Sequence, residues 1–283
     1  YTLIVGSFEV KFLRYLLPII PLLAILASVL MVQIASNPRM TVKIMGYGVY
    51  IFVVFSTITF ALAYQNIYNT PHPGIAASNW INENVPHKSI LLKEHWEEGL
   101  PNLHGFTIEE QPIYEPDNDR KIGVMSDQLN RAVYIVLFSN RLYGTVTRLD
   151  ERYPLMKGYY NALFTGQLGY TPVLIETSYM NLFGWNFYED TFKRPSVPDP
   201  SILIPEAVRL KGIDVGFADE SFSVYDHPKV IIFEKTKALS LNQNNPDLWN
   251  LKGIALRSLG RYNEAIECFN KSLEIDPRDK DSS

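Results

Sequence analysis

The sequence predicts a membrane-associated α+β chain with two transmembrane helices, an extracytoplasmic α/β layered domain and a C-terminal α-helical hairpin. Three observations support this fold class. Two long uncharged apolar runs lie near the start, strand and helix patterns alternate through the middle, and two amphipathic helical patterns follow at the end. We assign residues 1–65 to the end of a polytopic transmembrane region, 66–235 to the α/β domain and 236–283 to a helical repeat region.

The composition narrows the functional classes. A net charge of −4 provides no general positive field, so we expect no nucleic-acid partner. The single cysteine, Cys268, excludes an intrachain disulfide, and no Cys/His spacing matches a metal motif. The sequence therefore indicates no cofactor and leaves a divalent metal open. The opening "YTLIVGSF" lacks the features of a signal peptide, and we interpret the chain as the C-terminal part of a longer protein.

The two apolar runs extend from Tyr15 to Ala35 and from Ile44 to Tyr64, each 21 residues without a charged side chain. At about 1.5 Å per residue each run spans roughly 30 Å, the thickness of a bilayer core. Buried core helices are the alternative, but a core helix rarely stays apolar on every face. Arg39 and Lys43 place the intervening loop in the cytoplasm. We therefore expect a multi-pass protein of the cell membrane with its soluble domain outside.

The first half of the predicted domain begins with a helix. The segment "HPGIAASNWINENVP" has helical apolar spacing and ends at Pro86, and "SILLK" follows as a strand. Residues 97–125 are rich in Gly, Pro, Asn and Asp and are predicted to be loop, with Ser126 as the N-cap of a short helix. The continuous apolar run "AVYIVLFS" predicts a strand covered on both faces, as in a parallel sheet.

The second half repeats the alternation. Pro154 begins the helical pattern "PLMKGYYNALFTG", with Gly166 as its C-cap, and "TPVLIETSY" is the next predicted strand. Residues 193–205 contain four prolines and are predicted to be a surface excursion. The segment "FSVYDHPKVIIFEK" predicts two strands joined by a turn at residues 226–229. Strands alternating with helices imply an α/β layered domain.

The segment "NPDLWNLKGIALRSLGRYNEAIECFNKSLEIDP" resembles a tetratricopeptide repeat. The residues at the spacing of that family are Trp249, Gly253, Ala265, Phe269 and Pro277. Lys252 and Ser272 depart from the usual leucine and alanine. One full repeat is expected at about 246–279, with helices at 246–259 and 262–275, after a preceding half repeat. Such repeats bind proteins in a concave groove, which implies a possible protein partner.

Lys11 and Arg14 precede the first apolar run, and Tyr15 is the first residue of that run. Lys11, Arg14 and Tyr15 share one helix face and would lie at the outer membrane surface, where a lipid phosphate is found. Ordinary interfacial cations that extend to the headgroups are the alternative.

Two groups in the soluble part are candidates for contact with an acceptor. Glu94, His95, Glu97 and Glu98 follow a strand in "KEHWEEGLP", where they suit acid–base work or form a solvated loop. The second group suits carbohydrate or anionic headgroups, or packs between elements. It comprises Arg141, Tyr143, Arg148, Arg152, Tyr153, Tyr159 and Tyr160. From these groups we select Glu94, His95, Arg141 and Tyr143 as possible acceptor contacts.

The segment "KFLRYLLPIIPLLAILA" resembles the late "R-Y-x-L-P-x-x-P" segment of GT-C class membrane glycosyltransferases, in particular the dolichyl-phosphate-mannose–protein mannosyltransferase-like group. "ASNWINENVPHKSILLKEHWEEGLP" and "ADESFSVYDHPKVIIFEK" resemble the C-terminal domain of many prokaryotic members. The resemblance covers roughly residues 1–235. It implies transfer of a sugar from a polyprenyl-phosphate donor to a protein, lipid or glycan acceptor. It also implies donor lipid-phosphate binding by Arg14, Lys11 and Tyr15, and a catalytic carboxylate upstream of this chain.

A second function stays open beside this one. A non-catalytic membrane-anchored scaffold would bind protein partners through the repeat groove. The two functions are compatible, because the repeat could bring acceptor proteins to a transferase.

Overall fold

The computed structural model describes residues 13–149, 151–189, 191–193, 197, 212–218, 220–236, 246, 249–250, 253 and 262–276. For residues 13 and 14 it describes the backbone alone. Of the predicted site residues, Lys11 and Pro277 lie outside this part of the chain, as does the side chain of Arg14. The described residues form two compact units that meet in sequence at residues 69 and 70, and Met180–Gly184 belongs to the first unit.

Helices and strands alternate after a helical beginning. The helices are α1 (Ile20–Ala35), α2 (Met40–Gln65), α3 (Pro73–Asn84), α4 (Asp119–Arg131), α5 (Tyr143–Val146), α6 (Pro154–Phe164), α7 (Glu220–Ser223) and α8 (Tyr262–Ile275). Short 3-10 helices cover Leu13–Ile19, Asn66–Asn69 and Thr191–Lys193. The strands are β1 (Ile90–Glu94), β2 (Thr107–Gln111), β3 (Tyr134–Leu137), β4 (Tyr170–Glu176), β5 (Met180–Leu182), β6 (Trp185–Tyr188), β7 (Gly212–Asp214) and β8 (Val230–Lys235).

The first unit contains the two apolar helices. Helical stretches from Tyr15 to Ala35, of 21 residues, and from Met40 onward are each long and apolar enough to cross a membrane. The first opens as a 3-10 helix that contains Pro18, because proline lacks the amide hydrogen that a regular turn needs. The second starts at Met40, four residues before the predicted start at residue 44. Residues 40–43, which were predicted to lie in the connecting loop, therefore belong to the helix.

A glycine allows α1 and α2 to approach closely. A Cβ atom built on Gly46 would lie 2.0 Å from Cγ2 of Ile34, well inside van der Waals contact. Gly46 is buried, whereas almost all large apolar side chains of the two helices are exposed. The pair therefore packs through one narrow seam and presents the remaining apolar surface outward.

A mixed five-stranded sheet forms the centre of the second unit. The strands lie in the order β2, β1, β3, β8, β4. β1 pairs in parallel with both β2 and β3, with Leu92 opposite Glu109 and Ile135. β8 is antiparallel to β3 and to β4. The parallel arrangement predicted for "AVYIVLFS" therefore holds on the β1 side of β3, and the β8 side is antiparallel.

Helices cover both faces of this sheet. On one face, Leu91, Val136 and Ile232 pack with Ala77 and Ile81 of α3. The larger cluster on the other face combines strand residues with α4, α5 and α6. All four residues of β3 are buried, as expected for a strand between two layers. The predicted α/β layering is confirmed in this coarse form of helices on a mixed sheet.

Three local predictions were wrong. Residues 107–111 are a strand rather than loop, because β2 is an edge strand whose mostly exposed side chains lack apolar alternation. α4 is capped by the Asn118 side chain, which accepts from the Lys121 amide, so Ser126 lies inside a helix and is no N-cap. The first of the two strands predicted in residues 222–235 is replaced by α7 and a helical turn, in which the His227 amide bonds the Ser223 carbonyl.

Other elements match or extend the predictions. α6 begins at Pro154, and Gly166 beyond its end adopts the left-handed φ of +79°. β6 and β7 were not predicted; they pair in parallel, with Phe187 opposite Ile213. Most of the surface excursion predicted at residues 193–205 lies outside the described residues.

The repeat region is described mainly through α8, which confirms the second predicted repeat helix. Ala265 and Cys268 are buried there and pack with Trp249 and Phe269. A Cβ atom on Gly253 would lie 2.5 Å from the Phe269 ring, so this position requires glycine for close approach. The first repeat helix and the half repeat before it lie largely outside the described residues.

Candidate functional site at the carboxyl edge of the sheet

Polar side chains gather at one edge of the central sheet. β1, β2 and β3 are parallel, so their carboxyl ends meet at the same edge. Glu94 ends β1, Gln111 ends β2, and Ser139 comes two residues after β3. Ligands of open sheets with parallel strands bind outside the carboxyl ends of those strands. This edge of the sheet is therefore the candidate functional site.

The inner part of the edge is a buried polar group. Tyr160 donates a hydrogen bond to Oε1 of Glu94, and Tyr159 donates to Oε1 of Gln111 at 3.0 Å. All four side chains are essentially inaccessible to solvent. Oε2 of Glu94 and Nε2 of Gln111 find no hydrogen-bond partner among the described residues. The group therefore keeps one acceptor and one donor unused.

Burial controls the ionisation of Glu94. Desolvation raises its pKa well above the usual range, the neighbouring Glu97 raises it further, and the Tyr160 hydrogen bond partly opposes both. Burial also raises the pKa of Tyr160, so its hydroxyl remains a donor. Glu94 therefore keeps its proton to a higher pH than an exposed glutamate does.

The outer part of the edge is organised by Ser139. Its hydroxyl accepts from the Arg141 amide at 3.0 Å and donates to Oε2 of Glu97 at 2.9 Å. Nε of Arg141 lies 3.4 Å from Oε1 of Glu97. Burial raises the pKa of Glu97, and the Arg141 charge and the Ser139 hydrogen bond act in the opposite sense. The buried carboxyl thus fixes a guanidinium whose side chain is 24% exposed.

Two exposed aromatic residues contact this guanidinium, one through its backbone carbonyl and the other through its ring. Trp96 is 68% exposed and accepts from Nη1 of Arg141 through its carbonyl at 3.3 Å. Tyr225 is 61% exposed, and its ring centroid lies 5.5 Å from Cζ of Arg141. Trp96 has a φ of +72°, which is unusual for a bulky side chain. We call Trp96, Arg141 and Tyr225 the aromatic rim.

A second carboxylate contacts the same region. Glu220 of α7 accepts from the Thr145 hydroxyl at 2.7 Å and lies 4.0 Å from Arg148. Its charge contributes to the raised pKa of Glu97. The edge therefore combines hydrogen-bond donors and acceptors with exposed rings. Among the described residues, no three His, Cys, Asp or Glu side chains converge to hold a metal ion.

The structure separates the four predicted acceptor contacts. Arg141 reaches the surface, and Glu94 lies buried beneath it. His95 is exposed but turns to Glu110, with which its Nδ1 pairs at 2.5 Å. Tyr143 is fully buried and stacks on Phe192, so it is part of the core. Direct contact with an acceptor therefore remains a prediction for Arg141 and His95, and the other two would act from beneath.

The packing alternative applies to several of the Arg/Tyr residues. Tyr153 is buried against Tyr114, and Arg152 lies over the Tyr153 ring at 5.2 Å.

Trp96, Ser139 and Tyr225 were not selected from the sequence, although they complete the edge. Two of the three could have been found by their position, because Trp96 and Ser139 each follow the end of a parallel strand. Tyr225 is distant in sequence and gives no such signal.

Comparisons with known proteins identify two similarities. Residues 246–279 match the tetratricopeptide repeat family. An uncharacterized protein of Methanocaldococcus jannaschii is 35% identical over 78 residues, which cover 28% of this chain and 83% of that protein. No solved structure matches the chain. The repeat predicted from Trp249, Gly253, Ala265 and Phe269 is thereby confirmed.

Proposed function

This chain belongs to the same family as the Methanocaldococcus jannaschii protein over the segment they share, and we propose that it is the C-terminal part of an integral membrane glycosyltransferase. The enzyme transfers a sugar from a polyprenyl-phosphate donor to a protein, lipid or glycan acceptor at the outer membrane face. The observation that carries this proposal is the aromatic rim at the carboxyl edge of the sheet. The membrane helices and the resemblance described above support the donor side.

The aromatic rim has the chemistry of a sugar-binding surface. A sugar ring has an apolar C–H face and a border of hydroxyl groups. The exposed rings of Trp96 and Tyr225 offer apolar faces, and Arg141, which contacts the Trp96 carbonyl and the Tyr225 ring, offers charged donors. Glu97 holds Arg141 from below, so little side-chain freedom is lost on binding. In this proposal the rim binds a sugar of the acceptor.

The first unit supplies the membrane side. α1 and α2 expose nearly all of their large apolar side chains. Such a surface is unfavourable in water, and a bilayer would cover it. Arg14 comes just before the first apolar run and Tyr15 begins it, with Lys11 three residues before Arg14 in the sequence. In the proposal, Arg14 binds the donor phosphate, for which its fork of donors is suited.

A transfer assay on the full-length gene product tests this function. Membranes that contain the protein are incubated with radiolabelled polyprenyl-phosphate hexose, and the label in acceptor material is counted. We expect Arg14→Ala to lower the initial rate about tenfold or more, because a charge-assisted hydrogen bond contributes about 1.5–3 kcal/mol. Arg39→Ala, in the loop between α1 and α2, is the matched control and should retain the wild-type rate.

The outcomes separate the parts of the proposal. Equal rates for Arg14→Ala and Arg39→Ala would exclude the donor-phosphate role of Arg14. Transfer no greater than in membranes without the protein, for several hexoses, would exclude the glycosyltransferase.

The repeat supports a second function, the binding of a protein partner. The family match at residues 246–279 is the observation that favours it, since tetratricopeptide repeats act through protein-binding grooves. A protein scaffold would retain a crosslinked partner at the repeat while transferring no sugar. If the repeat delivers acceptors to a transferase, crosslinking at the repeat and sugar transfer should occur with the same protein.

A further inference from the structure

The turn after β5 carries an unusual residue. Phe183 is 93% exposed, the largest exposed fraction among the large apolar side chains that the structure describes. It has a φ of +52°, and Gly184 follows with a φ of +79°. Two consecutive left-handed residues form the kind of turn in which Asn and Gly are usual, and a bulky residue there is an outlier. The backbone is thus strained at a residue whose phenyl ring is almost fully exposed.

The turn is attached to the end of the second apolar helix. β5 contacts α2 and the 3-10 helix Asn66–Asn69. The Asn66 side chain donates to the carbonyl of Asn181, whose own side chain accepts from the Gly184 amide at 3.2 Å. Met180 of β5 is buried. The position of Phe183 is therefore fixed relative to the end of α2.

This end of α2 has the composition of a membrane–water interface. Ile58 and Leu62 are exposed apolar side chains of its last turns. Tyr64 and Tyr68 follow and meet edge to face at 6.3 Å between ring centroids. Tyrosines at the end of an apolar helix mark the depth at which hydrocarbon gives way to headgroups. The turn with Phe183 is joined to the helix at this level.

The sequence around the turn also lacks charge. Residues 177–188, "TSYMNLFGWNFY", contain no Asp, Glu, Lys or Arg and five aromatic residues. An uncharged segment rich in aromatic residues is typical of chain that lies in the interfacial layer of a bilayer. A hairpin tip that faced water would ordinarily carry polar turn residues.

We propose that the Leu182–Phe183 turn inserts into the interfacial layer of the bilayer that α1 and α2 cross. The occupant of this surface is lipid, at the leaflet next to Tyr64 and Tyr68. The turn acts as an extra anchor beside α2, and burial of the Phe183 ring in lipid offsets its exposure and its backbone strain. This inference rests on the membrane-spanning part of the proposed function.

Spin labels measure the depth of the turn directly. Single cysteines are placed in a Cys268→Ser background at Phe183, at Phe55 in the middle of α2, and at Val124 on α4. Phe55 and Val124 are exposed, by 69% and 43%, so labels there disturb little packing. The full chain is reconstituted in phosphatidylcholine/phosphatidylglycerol vesicles, and each nitroxide label is exposed to oxygen, which enters lipid, and to a nickel chelate, which stays in water.

We expect the oxygen-to-nickel accessibility ratio at Phe183→Cys to be several-fold greater than at Val124→Cys and below that at Phe55→Cys. A ratio at position 183 equal to that at position 124, with position 55 in lipid, would overturn the inference and leave the membrane-spanning helices intact. Aqueous ratios at both 55 and 183 would overturn the membrane-spanning part of the proposed function together with the inference.

Discussion

Tyr160 donates a hydrogen bond to Glu94 at a point in the second unit where neither side chain reaches solvent. The contact joins α6 to the last residue of β1, and the two residues are 66 positions apart in the sequence. It holds together the buried inner part of the carboxyl edge, whose outer part carries the aromatic rim. Its contribution to the free energy of unfolding can be measured before any ligand is known.

Removal of the Tyr160 hydroxyl tests this contact. Tyr160→Phe keeps the ring in its cluster with Tyr143 and Phe164 and leaves Oε1 of Glu94 buried without its donor. We expect a loss of about 1–3 kcal/mol in the free energy of unfolding, the cost of an unsatisfied buried polar group. Urea unfolding of the protein in detergent measures this difference. A loss below about 0.5 kcal/mol, within the range of ordinary surface substitutions, would contradict the buried contact.

Glu94 should also make stability depend on pH. Its pKa in the folded protein is raised, so the folded state holds a proton that the unfolded state releases near pH 4.5. The stabilisation is fully present below that pH and is lost as pH rises through the folded pKa. Glu94→Gln removes this titration, so its free energy of unfolding should fall less between pH 4.5 and 8 than that of the wild type. Parallel pH profiles for the two proteins would show that Glu94 does not titrate in this way.

A buried ion pair gives a third prediction. Lys121 and Asp117 lie 2.8 Å apart with side chains 0% and 2% exposed, and Asp117 also accepts from the Leu155 amide at 2.7 Å. Lys121→Met leaves a buried carboxylate without its cation, and we expect a loss of about 3–5 kcal/mol on urea unfolding.

The same helix provides a control for the ion pair. Asp127 and Arg131 form an exposed pair with the same four-residue separation, at 2.9 Å. Asp127→Ala should cost about 0.5 kcal/mol or less, because solvent screens this pair. Similar losses for Lys121→Met and Asp127→Ala would be inconsistent with a buried pair at residues 117 and 121.

The repeat packing predicts opposite effects at two helical glycines. An added methyl at Gly253 would lie 2.5 Å from the Phe269 ring, whereas at Gly123 in α4 it would meet nothing within 4 Å. Gly253→Ala should destabilise the repeat by about 1–3 kcal/mol through overpacking. Gly123→Ala should stabilise α4 by about 0.5–1 kcal/mol. Hydrogen exchange of residues 262–275 and 119–131 measures each effect locally, and slower exchange in α8 of Gly253→Ala would contradict the packing.

Elements with strong apolar patterns could be predicted from the sequence. β3 and α6 belong to this group, since β3 is wholly buried and α6 begins with proline and buries seven of its 11 residues. β2 could not be predicted, because its pairing with β1 depends on backbone hydrogen bonds at an exposed edge. α7 replaced a predicted strand for a similar reason: apolar alternation in "FSVYD" cannot distinguish a short helical turn from a strand.

The candidate site could be predicted only in part. Glu94 and Arg141 were identified as chemically suitable residues near strand ends. Their partners could not be inferred, because Ser139 contacts Glu97 across 42 positions and Tyr225 contacts Arg141 from beyond the end of α7. Nor does the pattern reveal that Tyr143 points into the core, where it stacks on Phe192. Such contacts depend on the strand order, which the local pattern of apolar and polar residues does not reveal.

Sugar binding by the aromatic rim is tested most directly by the rate of sugar transfer as a function of acceptor concentration, with saturating polyprenyl-phosphate hexose. Arg141→Ala is compared with Arg120→Ala, which removes an arginine from the first turn of α4. We expect Arg141→Ala to raise the acceptor KM about tenfold or more, through the loss of about 1.5–3 kcal/mol of charged hydrogen bonding, with an unchanged donor KM. Arg120→Ala should leave both constants unchanged. An acceptor KM for Arg141→Ala equal to that of the wild type would contradict a sugar-binding role for the aromatic rim.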